Sequence, residues 1–169
     1  RIIFSDAVTK IGDGVFEGCA TIEQIVIPQS VEIIGAKAFS GCRSIADITI
    51  PETVTTIDSA AFKGCSALAE VVFDAESHLD IIGSEAFAGC SAITSFTLPN
   101  SVQKICSSAF SGCSSLKEFN VGEQTSLSLI DNRAFENCVA LESFSLSQSL
   151  ETIGDRAFMN CRSLVSVTL

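Results

Sequence analysis

The feature that most constrains this chain is a phrase that recurs seven times along its 169 residues. In the copy at residues 34–45, Phe39 is followed three residues later by Cys42. Self-similarity at a fixed period of this size indicates stacked supersecondary units, each of which buries its apolar face against its neighbours. We therefore interpret residues 1–169 as one solenoid domain of about seven repeats. The equivalent positions are Phe16, Phe39, Phe62, Phe87, Phe110, Phe135 and Phe158, with Cys19, Cys42, Cys65, Cys90, Cys113, Cys138 and Cys161, and successive cysteines are 23, 23, 25, 23, 25 and 23 residues apart.

Each repeat opens with a short segment in which apolar and polar residues alternate, as around Ile48 and Ile50. Period-2 alternation of β-branched residues predicts a strand with both isoleucines on one face. Pro28, Pro51 and Pro99 close three of these strands, because proline cannot donate to a ladder. We predict that strands of successive repeats pair in parallel. The equivalent inward pairs are Ile25/Ile27, Val71/Phe73, Phe96/Leu98, Phe119/Val121, Phe144/Leu146 and Val167/Leu169.

The second half of each repeat is predicted to form one short helical turn. Its first position holds a residue type that caps helix N-termini in six of seven repeats. Five residues later stands a glycine or asparagine, the two residues that best tolerate the left-handed conformation at a helix C-terminus. The sequence thus predicts an α/β repeat solenoid, with a parallel strand ladder and one short helical turn in each 23–25-residue repeat. The two sets of positions are Asp13, Ala36, Ser59, Ser84, Ser107, Asn132 and Asp155, and Gly18, Gly41, Gly64, Gly89, Gly112, Asn137 and Asn160.

Repeats three and five are each longer by two residues, at the same corner. Residues 73–79 and 121–127 replace the tighter proline-containing corners of other repeats. Because both insertions fall in one loop, we expect the ladder positions to keep their register.

Composition restricts the range of partners. The chain carries 10 Lys and Arg against 20 Asp and Glu, a net charge of −10. Nucleic acids and anionic membranes attract clustered cations, and no apolar run approaches the roughly 18 residues of a transmembrane helix. We therefore expect no nucleic-acid partner and no direct membrane insertion by this segment. Both ends fall inside a repeat without the polar caps that solenoids need, so we expect a segment of a longer protein.

Eight cysteines could suggest disulfides or a metal site. Seven of them recur at one position of the repeat, so they are predicted to form an in-register ladder of buried, inert thiols. A structural zinc site needs four convergent ligands, and the chain has no Cys-x-x-Cys pair and a single histidine. Cys106 is the exception, because it stands at a corner where it could be partly exposed and reactive. We predict no metal site.

One group of polar residues could suggest a catalytic site. His78 and Asp80 stand near serines, but they lie on or beside an inserted loop. A catalytic base needs a fixed geometry to its nucleophile, so we interpret them as solvated loop residues. The glycines are accounted for by turns and caps, and no phosphate-binding glycine loop, HExxH pair or EF-hand string is present. We therefore predict no catalytic residues, no enzymatic activity and no cofactor.

The remaining candidate surface is the outward face of the strand ladder, which we call the strand face. Side chains that alternate with the buried pairs must point outward. The row is acidic in its first part and rich in hydroxyl groups later, and it lacks the Trp, Tyr and Arg that dominate binding hot spots. Two interpretations stay open: a merely soluble sheet face, and a concave ligand-binding face whose affinity comes from area and repetition. The candidate ligand-binding residues are Gln24, Val26, Asp47, Thr49, Glu70, Val72, Ser95, Thr97, Glu118, Asn120, Ser143 and Ser145, with Ser166 and Thr168 continuing the row.

The repeat resembles that of a known family. Residues 25–45, Ile-Val-Ile-Pro-Gln-Ser-Val-Glu-Ile-Ile-Gly-Ala-Lys-Ala-Phe-Ser-Gly-Cys-Arg-Ser-Ile, are similar to the leucine-rich repeat of BspA-like surface proteins, also called the Treponema pallidum-type repeat. The resemblance covers essentially the whole chain, and the alternation of 23- and 25-residue units resembles the trichomonad branch of the family. The departures are Cys106, Asp58 and Asp131, which stand where most repeats have glycine, and Ser30, Thr53, Ser101 and Ser149, which stand in place of an asparagine ladder.

The resemblance implies a right-handed parallel solenoid in a surface-exposed protein that binds host or matrix proteins, or copies of itself. It therefore predicts a non-enzymatic protein-binding and adhesion module at the cell surface or outside the cell. The alternative is an intracellular, cytoplasmic scaffold or structural repeat protein. Unpaired core cysteines and the absence of Asn-x-Ser/Thr sequons favour that alternative.

Overall fold

The computed structural model describes residues 1–122 and 124–168 as a parallel-strand β-solenoid of about seven turns. Glu123, in the second inserted corner, and Leu169, a predicted inward residue, lie outside the described residues. The strands of the described residues, β1 to β15 in chain order, are Ile2–Ile3, Lys10–Ile11, Ile25–Val26, Ile33–Ile34, Asp47–Ile50, Thr56–Ile57, Glu70–Phe73, Ile81–Ile82, Ser95–Leu98, Lys104–Ile105, Glu118–Val121, Leu129–Ile130, Ser143–Ser145, Thr152–Ile153 and Ser166–Thr168.

The predicted ladder of parallel strands is confirmed by the odd-numbered strands. They pair in three groups, β1 with β3, β5 with β7, and β9 through β11 and β13 to β15. The register places equivalent residues side by side, so that Phe96 lies beside Phe119 and Phe119 beside Phe144. Equivalent strand residues of paired turns therefore lie side by side.

A second ladder, which the sequence did not predict, runs along another side of the solenoid. The even-numbered strands β2 to β14 form one seven-stranded parallel sheet. Each of them is two residues long, too short to show an alternating pattern in the sequence. Thr56 pairs with Ile81, and Lys104 pairs with Leu129, across the two longer repeats. The prediction that the insertions leave the register intact is confirmed.

The predicted helical turn, and with it the α/β class, is wrong: the described residues contain no helix. In the segment after β4, the amides of Lys37 and Phe39 donate to carbonyls one turn further along, at 2.8 Å each. The intervening amides of Ala38 and Ser40 donate to carbonyls three residues back. Lys37 has a φ of 56°, and its equivalents in later repeats are also left-handed. A helix is impossible here because every second amide is committed to the neighbouring turn.

The predicted capping residues consequently have different roles. Asp13 Oδ1 accepts a hydrogen bond from the amide of Ala36 at 3.2 Å, one turn away, and Asn132 Oδ1 accepts from Asp155 at 2.6 Å. These side chains join turns rather than cap a helix. The left-handed conformation five residues later is confirmed, with φ between 62° and 75° at Gly18, Gly41, Gly64, Gly89, Gly112, Asn137 and Asn160.

Hydroxyl groups form a ladder at the corner where the asparagine ladder is missing. Each hydroxyl donates to a backbone carbonyl of the preceding turn, as Ser30 does to Val8 at 2.8 Å. The distance is 2.8 Å for Thr53, 2.7 Å for Ser101 and 2.8 Å for Ser149. A hydrogen bond between turns is thus kept with a shorter side chain.

The core between the ladders is a column of stacked phenylalanine rings. From Phe16 to Phe158, consecutive centroids lie 5.3 to 5.5 Å apart and the ring planes are within 13° of parallel. In the later turns, Phe96, Phe119 and Phe144 form a second column that meets the first edge-on. In these later turns an inner ring such as Phe110 therefore packs against rings above, below and beside it.

Replacing Phe87 by Ala should strongly destabilise the protein, because the ring lies in the middle of the first column. Phe87 is fully buried and lies 5.3 Å from Phe62 and 5.4 Å from both Phe96 and Phe110. Loss of its ring removes buried area and leaves a cavity, so we expect a loss of about 3–5 kcal/mol in the free energy of unfolding. Chemical denaturation measures it. Phe16→Ala, at the partly buried first position, is the matched control and should cost less; a midpoint for Phe87→Ala near wild type would contradict the stacked column.

Candidate functional site

The strand face is exposed as the alternation predicts. All twelve candidate side chains are exposed, while the residues that alternate with them are buried, as Ile48 and Phe96 are, or half-buried, as Val71 and Phe73 are. The structure thus gathers the candidates on one side of the first ladder. Whether that side binds a ligand stays a prediction.

The register of the ladder sorts the strand face into two columns. In the first column Asp47 lies beside Glu70, and Glu118 lies between Ser95 and Ser143. Neighbouring strands are about 4.8 Å apart, so the two carboxylates of Asp47 and Glu70 repel each other unless water or a cation screens them. The first column therefore has a negative potential in its earlier part.

The second column brings apolar side chains into water. Val26 and Val72 are 46% and 42% exposed, and Ile3, which pairs with Val26, is 68% exposed. Later in the column Thr97 pairs with Asn120. The early strand face thus combines apolar and acidic groups, and the later part is polar and uncharged except for Glu118.

A groove of about 910 Å³ opens where the strand face meets the inserted corners. Five of the candidates line it: Glu70, Val72, Ser95, Thr97 and Asn120. The other seven lie outside its lining: Gln24, Val26, Asp47, Thr49, Glu118, Ser143 and Ser145. The candidate residues therefore divide into a local concave site and a wider exposed face.

The sequence interpretation missed the corner residues that complete the groove. They are contributed by residues 73–78, 98–101 and 121–122. The available signal was the position of the two insertions, which fall at the same corner on either side of the tight corner at Pro99.

Hydrogen bonds to earlier turns hold the first inserted corner in place. Asp74 Oδ2 accepts from Gln29 Nε2 at 2.9 Å and from the amide of Glu52 at 3.3 Å. His78 donates its backbone amide to the carbonyl of Glu52 at 3.0 Å, and its Nδ1 lies 3.1 Å from the same oxygen. The wall of the groove is thus anchored at both ends of the corner.

The catalytic alternative gains no support from these contacts. His78 is exposed, as the solvated-loop interpretation expected, and its ring contacts a backbone carbonyl. Asp80 differs from that interpretation, because it is half-buried and its Oδ1 has no hydrogen-bond partner among the described residues. Over the same residues no group of three or more potential metal ligands is found, and no helix could cross a membrane.

The predicted ladder of unpaired thiols is confirmed, but its first and last members, Cys19 and Cys161, are half-buried rather than buried. All eight cysteines are free, and Cys42, Cys65, Cys90, Cys113 and Cys138 are buried. Each buried thiol donates to the carbonyl of a phenylalanine in the preceding turn, as Cys65 Sγ does to Phe39 at 3.1 Å. Burial raises the pKa of Cys42 to about 11 and that of Cys65 to about 12, with a smaller contribution from the adjacent cysteine. These thiols stay protonated at neutral pH and are poor nucleophiles.

Cys106 is half-buried, in agreement with the expected partial exposure. Burial raises the pKa of its thiol, and Asp131 nearby raises it further, while Lys104 acts in the opposite direction. The environment therefore disfavours the thiolate that a reactive cysteine requires.

The chain is similar to known repeat proteins along its whole length. A family model described as "BspA type Leucine rich repeat region (6 copies)" matches residues 1–79 and 80–169. A solved leucine-rich repeat protein from Bacteroides ovatus is 28% identical, with a TM-score of 0.75, over 97% of this chain and 47% of that one, so this chain spans about half its length. The Treponema pallidum leucine-rich repeat protein is 25% identical, with a TM-score of 0.67, over 93% and 72% of the two chains.

A third solved structure, the pneumococcal vaccine antigen PcpA, is 31% identical with a TM-score of 0.64, over 72% of this chain and 29% of that one. Comparison with curated proteins gave no match.

Stability should fall above pH ~9 in part through the buried thiols. An unfolded thiol ionises near its ordinary pKa of 9.0, whereas folded Cys65 keeps its proton to about 12, so the native state binds more protons within this window. The contribution of Cys65 is complete below pH ~9 and is lost as the pH rises toward ~12. Cys65→Ala should reduce the dependence of unfolding free energy on pH by about 1.4 kcal/mol per pH unit.

Chemical denaturation at a series of alkaline pH values measures this difference. Val54→Ala is the matched control, because Val54 is equally buried but cannot ionise, so its loss of stability should be the same at every pH. Parallel curves for wild type and Cys65→Ala would contradict the protonated ladder.

Proposed function

Because this chain belongs to the family of BspA-type leucine-rich repeat proteins, we propose that it is a protein-binding module that adheres to its ligand through the strand face, in a protein displayed at the cell surface or released from the cell. Leucine-rich repeat proteins are generally interaction modules, and no catalytic family is indicated for this chain. The adhesive role and the location outside the cell are our inference. Within the family we propose the trichomonad-like branch, on the alternation of 23- and 25-residue repeats.

The observation that carries the binding proposal is the strand face itself. Its twelve candidate side chains are all exposed, along three groups of parallel strands whose other side packs against the core. A face that repeats about every 4.8 Å offers the same kind of contact many times, so weak contacts can add up to a useful affinity. Exposed Val26 and Val72 add apolar area to this contact.

Charge favours one class of ligand over the others. A second copy of this chain would bring Asp47, Glu70 and Glu118 against a face with the same charges, in a chain of net charge −10. Like charges facing each other oppose association. We therefore favour a host or matrix protein with a positively charged surface over self-association through this face.

The location is supported by family membership and by a structural neighbour that is a pneumococcal vaccine antigen. The second candidate, an intracellular scaffold, is favoured by the eight free cysteines, since reduced thiols are typical of the cytosol. The burial of five of the eight weakens that argument, because a buried thiol is protected in any compartment.

Charge reversal on the strand face should weaken binding without unfolding the protein. Glu118→Lys and Glu70→Lys reverse exposed charges of the first column. We expect affinity for a positively charged ligand, found by screening purified matrix and host-surface proteins, to fall about tenfold for the double variant. Biolayer interferometry measures this affinity, and circular dichroism checks that the variant keeps its fold.

The matched control is Glu32→Lys with Glu151→Lys, two exposed glutamates beside the second ladder. It makes the same change in net charge away from the strand face and should leave affinity nearly unchanged. Equal losses of affinity for the two pairs of substitutions, or no loss for the first pair, would contradict the strand-face proposal.

Antibody staining of intact and permeabilised source cells separates the two locations. We expect an antibody raised against this chain to stain intact cells, because the proposed module faces outward. An antibody to a cytosolic protein is the control for membrane integrity. Staining that appears only after permeabilisation would contradict the surface location and support the intracellular scaffold instead.

A further inference from the structure

We propose that the groove between the two inserted corners binds an extended segment of the partner protein that carries lysine or arginine side chains. This inference rests on the proposed function and specifies the chemistry of the partner at one place on the strand face.

The groove lies where the repetition of the solenoid is interrupted. Because turns stack in chain order, the short corner at 99–101 is flanked by the long corners at 73–79 and 121–127. Residues from all three corners line one concave space of about 910 Å³. That volume lies within the range of sites that enclose a small ligand or a few residues of peptide.

The first long corner is preformed. Asp74 and His78 are tied to Gln29 and Glu52 by the hydrogen bonds described above, and the amide of Ser77 donates to the carbonyl of Asp74 at 3.0 Å. A wall that is already ordered loses little conformational entropy when a ligand binds. This side of the groove is therefore suited to recognition.

The charged residues that line the groove favour a positively charged group on the ligand. Glu70 and Glu76 are exposed, and neither takes part in the four ion pairs found among the described residues. No lysine or arginine is among the residues that line the groove over the described ranges. The two carboxylates are thus free to accept charge-assisted hydrogen bonds from an ammonium or guanidinium group.

The apolar part of the lining suits the rest of a basic side chain. Val72, Val121 and the ring of Pro99 line the same space as Glu70 and Glu76. Lysine and arginine bury their methylene stems on apolar surface while the charged end stays in water or on a carboxylate. The groove therefore matches both ends of a basic side chain.

The size of the groove sets the length of the segment. Its strand residues come from β7, β9 and β11, three consecutive turns that span about 10 Å. An extended chain advances about 3.3 Å per residue, so a segment crossing these strands places three or four residues in the groove.

Fluorescence anisotropy with labelled pentapeptides tests the inference on the whole 169-residue chain. The probe alternates lysine with valine (KVKVK), and its control replaces lysine by glutamine (QVQVQ). We expect KVKVK to bind at least tenfold more tightly than QVQVQ, and the difference to disappear near ~1 M salt, where the Debye length is about 3 Å.

A pair of double variants locates the site. Glu70→Gln with Glu76→Gln removes two of the three carboxylate charges that line the groove with little change in shape, leaving Asp74, which is hydrogen-bonded to Gln29 and Glu52, and should weaken KVKVK binding roughly tenfold. Asp47→Asn with Glu118→Gln removes two charges from the strand face outside the groove, and should change it less than twofold. Equal binding of the two peptides, or equal losses in the two double variants, overturns the inference.

The same variants separate this inference from the proposed function. If Glu118→Lys with Glu70→Lys abolishes binding of a protein ligand while Glu70→Gln with Glu76→Gln leaves it unchanged, the groove inference fails and the strand-face proposal stands. If both pairs leave binding unchanged, both fail.

Discussion

Every other feature of this protein depends on hydrogen bonds between the backbones of successive turns. They occur on each side of the solenoid, for example from Ala69 to Ala46 at the strand ladder, from Gly83 to Ile57 beside the second ladder, and from Lys37 to Ser59 in the turns. They fix the spacing of the turns and place each residue on its equivalent one turn away. Phenylalanine therefore stacks on phenylalanine, and each buried thiol meets the carbonyl of a phenylalanine, because the backbone leaves no other register.

The close approach of turns also explains an apparent departure from the repeat. A Cβ added at Gly83 would stand 2.7 Å from the backbone carbonyl carbon of Asp58, and one added at Gly154 would stand 2.6 Å from that of Asp131. Both aspartates occupy the glycine position of the preceding repeat, and each accepts a hydrogen bond from the next amide of its own turn, at 2.6 Å. At the equivalent position one turn after each of these aspartates the chain carries glycine. Glycine has no side chain, so the two turns can approach closely.

Features marked by one recurring residue type could be predicted from the sequence, and the backbone hydrogen bonds that replace a helical turn could not. The phenylalanine column, the buried thiols and the left-handed glycines were predicted because each position recurs with one residue type. The helical turn was predicted wrongly because Lys37, Glu85 and Arg133 are left-handed, which their residue types do not indicate. Their conformation is maintained by hydrogen bonds to the next turn, and those bonds become visible only when the turns are stacked.

The same division applies to the candidate site. Alternation was sufficient to predict that Glu70 and Ser95 are exposed, whereas the groove beside them depends on how an inserted corner rests on Gln29 and Glu52 of earlier turns. This difference between the regular strand face and the groove matters for function. A face that repeats regularly presents similar contacts at many places, so its affinity comes from the number of contacts. Recognition of one particular segment needs a place that differs from its neighbours. Only the third and fifth repeats depart from the 23-residue period, and the groove lies between them, so selectivity is expected at the groove and avidity along the strand face.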